Sequence, residues 1–119
     1  MEMKSAIASL SALAHEGRLS TFRLLVQAGP DGLAAGEVAR RLGVLPNTLS
    51  ASLNVLSHAG LISARRDGRS VIYTANYDGM RDLLAFLMED CCGGSPEICA
   101  PLAELAQRAA CCAPQSIPV

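Results

Sequence analysis

Two β-capable segments, Leu61 to Arg66 and Ser70 to Ala75, meet at Asp67-Gly68 in a chain whose other apolar patterns all repeat at helical spacing. Asp-Gly between such segments is among the strongest short-range hairpin signals. With no further strand pattern, the fold class is mainly α with one small β-hairpin. Residues 3 to about 15 carry Met3, Ile7, Leu10 and Ala14 at helical spacing, and Leu19, Phe22, Leu25 and Val26 continue the pattern after a break near Gly17. Gly29-Pro30-Asp31-Gly32 ends the second helix. A short helix is expected from about Gly36 to Leu42, with Val38 and Leu42 inward, stopping at Gly43.

After the tight Gly43-Val44-Leu45 connection, Pro46 suits a first helical turn, and Leu49, Leu53 and Leu56 mark an inward stripe. The outward face is then Asn47, Thr48, Ser50, Ala51 and Asn54, with Gly60 closing the helix. Beyond the hairpin, Met80, Leu83, Leu84, Leu87 and Met88 form an apolar stripe on a helix starting near Asp78, whose side chain can cap it. A last helix is expected over Ala100 to Ala110, with Leu102, Leu105 and Ala109 on one side. At 119 residues, with no repeat and no dividing linker, the chain suits a single domain over 1–119. Aromatic residues are few, two Tyr, two Phe and no Trp, so Leu, Ala, Val and Ile must build the core.

A short helix, a tight glycine-containing turn, a second helix with a polar outer face and an adjoining hairpin match a winged helix-turn-helix, the hairpin being the wing. Taken singly, each part has a simpler use, since amphipathic helices mostly bury a core and Asp-Gly mostly reverses the chain. Their order and the basic hairpin tip point to double-stranded DNA. A net charge of −1 conceals the asymmetry. Between residues 34 and 69, Arg40, Arg41, Arg65, Arg66 and Arg69 face only Glu37 and Asp67, whereas from 78 onward six acidic residues face Arg81 and Arg108. Asn47, Thr48, Ser50 and Asn54 can reach base edges or phosphates from a helix entering the major groove. Arg65, Arg66 and Arg69 are expected to hold the backbone or probe the minor groove, while Arg40 and Arg41 read as solvated charge.

Phosphate neutralisation scales with the number of contacts, so two copies bind far better than one. The first helix and the Met80 to Met88 helix carry more apolar surface than the protomer core needs, and the excess is assigned to a symmetric homodimer interface. No run approaches the roughly 20 uncharged apolar residues of a membrane-spanning helix. The N-terminus also lacks a basic segment followed by an apolar one, so a cytoplasmic protein with no membrane partner is expected. No general base, phosphate loop or His-paired nucleophile is evident, which argues against an enzyme.

Leu13-Ala14-His15-Glu16-Gly17-Arg18-Leu19, the helix-turn-helix through Leu56, and Gly60-Leu61-Ile62 followed by Arg65-Arg66-Asp67-Gly68-Arg69 resemble the ArsR/SmtB family of metal-sensing repressors. The resemblance covers roughly residues 5 to 92 and implies a homodimer that binds its operator when metal-free and releases it on binding an inducer. Two departures stand out. Leu33-Ala34-Ala35-Gly36-Glu37-Val38-Ala39 replaces the cysteine motif that many members carry before the recognition helix, and Leu45 and Ala51 replace a Ser cap and an Arg common in that helix.

All five cysteines, Cys91, Cys92, Cys99, Cys111 and Cys112, fall in the last quarter of the chain. In a reducing compartment such a group suits metal binding or redox chemistry better than disulfides. Adjacent residues on an intact helix point about 100° apart, so Cys91 and Cys92 converge most easily where the helix unwinds, which Gly93 and Gly94 permit. Pro96 then turns the chain so that Cys99 can return as a third ligand. Three thiolates suit a three-coordinate soft ion, As(III) or Sb(III), better than zinc, which usually takes four ligands. The vicinal pair with a nearby third Cys is similar to the arsenic site of a subgroup of that family, and the resemblance gives Cys91, Cys92 and Cys99 this role. Cys111 and Cys112 can join the site, bind separately or do neither. Two alternatives stay open, a thiol-redox or sulfur-responsive regulator and a cysteine-rich metal carrier. His15 and His58 each stand alone and read as surface or core residues rather than ligands.

Overall fold

The structure is a computed structural model that describes residues 1–88. Among the described residues, five helices and a three-stranded antiparallel sheet run in the order α1 (Met3–Leu13), α2 (Glu16–Ala28), β1 (Leu33–Ala34), α3 (Ala35–Leu42), α4 (Pro46–His58), β2 (Ile62–Asp67), β3 (Ser70–Ala75) and α5 (Tyr77–Met88). The core gathers Phe22 and Leu25 from α2, Val38 and Ala39 from α3, Leu49, Leu53 and Leu56 from α4, and Leu61 and Ile62 at the root of β2. The stripe predicted on α4 is therefore the inward face. Expected cysteine sites at Cys91, Cys92, Cys99, Cys111 and Cys112, and the helix expected over 100–110, lie outside the described residues.

The break between the first two helices falls at Ala14-His15, two residues before the position predicted at Gly17. Side chains on both sides of the corner explain it. His15 Nδ1 accepts the Gly17 N–H at 3.2 Å and caps α2, while the Arg18 guanidinium donates back to the carbonyls of Ala12, at 2.7 Å, and Ser11, at 3.3 Å. One free amide of α2 and two end carbonyls of α1 are thus satisfied within a few residues. Gly17 lies inside α2, where Thr21 Oγ1 donates to its carbonyl at 2.8 Å.

Two further boundaries differ from the sequence reading. Register pairs Asp67 with Ser70, so the two-residue hairpin loop is Gly68-Arg69 rather than Asp67-Gly68, and β2 is displaced by one residue toward the C-terminus from the predicted segment. The first loop position takes φ +65°, which Gly68 adopts without Cβ strain. At the start of α5 the cap is Asn76 rather than Asp78. Asn76 Oδ1 accepts the Gly79 N–H at 3.1 Å, and its Nδ2 donates to the Gly60 carbonyl at 2.9 Å, while Asp78 lies in the first turn and pairs with Arg81 at 3.2 Å. Gly60 is where α4 closes in a Schellman arrangement, with Leu61 N–H on the Leu56 carbonyl and Gly60 N–H on the Ser57 carbonyl, both at 3.0 Å. Asn76 therefore ties the end of α4 to the start of α5. Asn76→Ala is expected to cost about 1–2 kcal/mol, read as a lowered urea midpoint at unchanged slope and fixed protein concentration.

Candidate nucleic-acid interface

The helix-turn-helix is built by α3, a short reversal and α4. Gly43 takes φ +67°, its N–H and that of Val44 both reach the Ala39 carbonyl, at 2.9 and 3.1 Å, and Val44 packs half-buried on the core. Pro46 then opens α4 at a position whose missing N–H costs nothing. Because the 3.6-residue repeat sends Leu49, Ser52, Leu53 and Leu56 inward, Asn47, Thr48, Ser50, Ala51 and Asn54 all lie exposed along the opposite side. The structure thus brings all five α4 residues singled out in the sequence onto one accessible face.

Arg65, Arg66 and Arg69 are all exposed on the β2–β3 ribbon, but they are not equivalent. Neighbouring strand residues point to opposite faces, so Arg65 and Arg66 diverge, and Arg69 sits in the loop. The Arg65 guanidinium donates to the Asp31 carbonyl at 2.9 Å, 34 residues away. That carbonyl belongs to a turn pressed against the central strand β3. A Cβ on Gly32, at φ +71°, would clash with the Tyr73 carbonyl oxygen, and β1 continues the contact by pairing Leu33 with Tyr73. Arg65 therefore anchors the root of the wing, leaving Arg66 and Arg69 as its unengaged cations among the described residues. Sequence reasoning missed both the strut and β1, since a two-residue strand has no periodicity and the Arg65 partner is remote in sequence.

The other basic pair behaves differently. Arg40 and Arg41 are exposed, as expected, and both bind Glu37 one turn earlier on α3, Arg41 at 2.7 Å. The hydrogen bond from Arg40, then that from Arg41, holds the Glu37 carboxyl down at about 2. Glu37 is therefore charged throughout the neutral range, and the three side chains together carry one net positive charge, two cations less one anion.

The second unusual surface is apolar. Small residues, Ala6, Ser9 and Ala12, turn α1 toward the protomer, which leaves Met3, Ile7 and Leu10 at 63, 54 and 42 % exposure on the far side. On α5, Leu83 is buried whereas Leu87 is 52 % exposed, and α1 packs against α5. Among the described residues no three His, Cys, Asp or Glu side chains converge as a metal site, and no helix is long and apolar enough to cross a membrane.

A reversal-linked helix pair with a basic ribbon beside it defines a winged helix-turn-helix regulator. The profile of a helix-turn-helix domain family matches residues 13–64. An uncharacterized HTH-type transcriptional regulator of Mycobacterium tuberculosis is 36 % identical over 61 % of this chain and 62 % of its own length, so the match spans less than two thirds of that relative. The transcriptional activator HlyU of Vibrio cholerae is 30 % identical over 73 % of this chain and 80 % of its own. A putative arsenical resistance operon repressor of Halobacterium salinarum is 35 % identical over 70 % of this chain and 64 % of its own. Among solved structures, the homodimeric winged helix-turn-helix DNA-binding domain of a possible ArsR-family regulator from Mycobacterium bovis superposes with a TM-score of 0.61. It is 29 % identical and covers 72 % of this chain and 78 % of that one. The chain belongs to the helix-turn-helix transcriptional regulators that include HlyU, and it shares its winged-helix fold with a possible ArsR-family regulator.

Proposed function

We propose that the chain is a homodimeric, cytoplasmic repressor that binds double-stranded operator DNA and releases it when As(III) or Sb(III) is captured by Cys91, Cys92 and Cys99. The observation that carries the DNA reading is the shared exposure of Asn47, Thr48, Ser50, Ala51 and Asn54 on α4, beside a wing that offers Arg66 and Arg69. Amide and hydroxyl side chains at this position can read base edges in the major groove, and the wing cations supply phosphate contacts. The apolar face of α1 and α5 supports the dimer, which presents two such helices to successive grooves. The M. bovis neighbour, itself a homodimer, favours the same assembly.

The donor set supports the inducer. Three thiolates, two of them vicinal, fit a soft trivalent ion that takes three sulfur ligands, and one relative is a putative arsenical resistance repressor. Cys111 and Cys112 form a second vicinal pair, for which an accessory role is proposed.

The wing and helix are tested together by binding measured against salt on a duplex enriched from a random pool and on an unrelated duplex. Arg66→Ala and Arg69→Ala should each flatten the salt dependence by about one unit per protomer of the dimer and weaken both duplexes alike. Arg65→Ala should weaken binding with the slope nearly kept, because its guanidinium braces the wing against Asp31. Asn54→Ala should instead erode the preference for the enriched duplex. Parental salt slopes in both Arg66→Ala and Arg69→Ala would remove the wing from the interface.

A further inference from the structure

We propose that Leu45 reads the C5-methyl group of a thymine in the operator, giving α4 an apolar element of base recognition at its leading edge. The inference rests on the DNA-binding reading above and adds a residue and a ligand group to it. Leu45 occupies the N-cap of α4 with extended backbone, φ −71° and ψ 146°, and its carbonyl accepts the Leu49 N–H at 3.0 Å. Its side chain provides no cap hydrogen bond, although Ser, Thr, Asp or Asn at this position would stabilise the helix. Nor is it buried. Val44 turns inward onto the core, the next residue of an extended segment faces the other way, and Leu45 is left 72 % exposed, the most of any large hydrophobic residue among those described.

The fold gains from Leu45 neither a cap nor burial, so its place is explained by what lies beyond the surface. A single exposed leucine is ordinary in itself. This one stands three residues before Thr48, which stands three before Ala51, so an isobutyl group and two methyl groups line one side of the helix start. Asn47, Ser50 and Asn54 are exposed on the same helix and supply hydrogen-bonding groups around that band. On the major-groove edges of the four base pairs, the one apolar group is the thymine C5-methyl, and apolar side chains contact it. An apolar band at the tip of a helix entering that groove therefore has one complementary feature to meet.

Deoxyuridine tests this directly, because it pairs as thymine does and lacks only the methyl. The full-length chain is used to enrich a duplex from a random pool, and each thymine is then replaced singly by deoxyuridine at fixed salt. The parent is expected to lose roughly threefold to fivefold in affinity at one thymine per half-site, the scale of one buried methyl-sized group. Leu45→Ala should bind the thymine duplex more weakly by roughly the square of that factor, since both half-sites lose the contact, and no longer distinguish thymine from deoxyuridine there. Leu45→Ser, which restores a capping hydroxyl, should show the same lost distinction with an undiminished urea midpoint. A parent that binds the enriched duplex tightly yet ignores every deoxyuridine, or a Leu45→Ala chain that keeps the full ratio, overturns the inference while leaving the DNA reading standing. Failure of any duplex to enrich overturns both.

Discussion

Leu87→Arg is expected to give a folded monomer, with half the parental mass by sedimentation and operator affinity lower by on the order of a hundredfold or more, because half of the phosphate contacts are lost from each complex. Leu87 is 52 % exposed in the protomer, so a long charged side chain there meets water and leaves the core intact. In the proposed dimer the same arginine is buried across a two-fold axis. A desolvated charge costs several kcal/mol, and symmetry delivers it twice with like sign. The gain it must defeat is modest, about 1.5–3 kcal/mol for each large side chain fully buried. Leu83→Arg separates interface from core. Leu83 is already buried within the protomer, so the charge should unfold the chain rather than merely divide it, seen as lost helical circular dichroism. A Leu87→Arg chain that remains dimeric and folded removes α5 from the interface.

What was legible in the sequence is what local periodicity specifies. Leu49, Leu53 and Leu56 announce the inward face of α4, and with it the outward residues follow by rotation alone, which is why all five proposed DNA contacts on that helix emerge together. Gly68 announces the hairpin, although the one-residue displacement of its loop depends on which residue must take positive φ, and that is decided by register rather than composition. Long-range geometry was not legible. β1 exists only through its pairing with β3, and Arg65 differs from Arg66 only because strand alternation aims it at Asp31. The Asn76 cap was overlooked for a simpler reason, since Asp78 two residues later is an equally good cap by type, and only the carbonyl of Gly60 beside it selects the asparagine. Nor does sequence pattern reveal that Tyr77 pins α5 to α2 by donating its hydroxyl to the Val26 carbonyl at 3.0 Å, in surroundings whose burial raises its pKa.

Replacing Cys91, Cys92 or Cys99 by Ser is expected to leave metal-free DNA binding within about twofold of the parent while abolishing release by arsenite. Serine keeps the size of the side chain and removes the soft, readily ionised sulfur, so affinity for a thiophilic ion falls far more than the fold is disturbed. Binding of the ion can expel DNA only if the two conformations differ in affinity for it, a coupling of typically about 1–3 kcal/mol. The proposed lever is continuity in sequence. In sequence only Glu89 and Asp90 separate Cys91 and Cys92 from the end of α5, which carries Leu83 in the protomer core and Leu87 in the proposed dimer face, so drawing three sulfurs together there is expected to change how two protomers meet. Small changes at such an interface shift the spacing of the two α4 helices relative to successive major grooves. Cys111 and Cys112 replaced together should matter less. Titrating DNA release with arsenite, zinc, cadmium and peroxide in parallel separates the possibilities. Release by peroxide alone at least as effective as by arsenite points to a thiol-redox switch. Undiminished arsenite release in a Cys91→Ser, Cys99→Ser double variant would falsify the three-cysteine site.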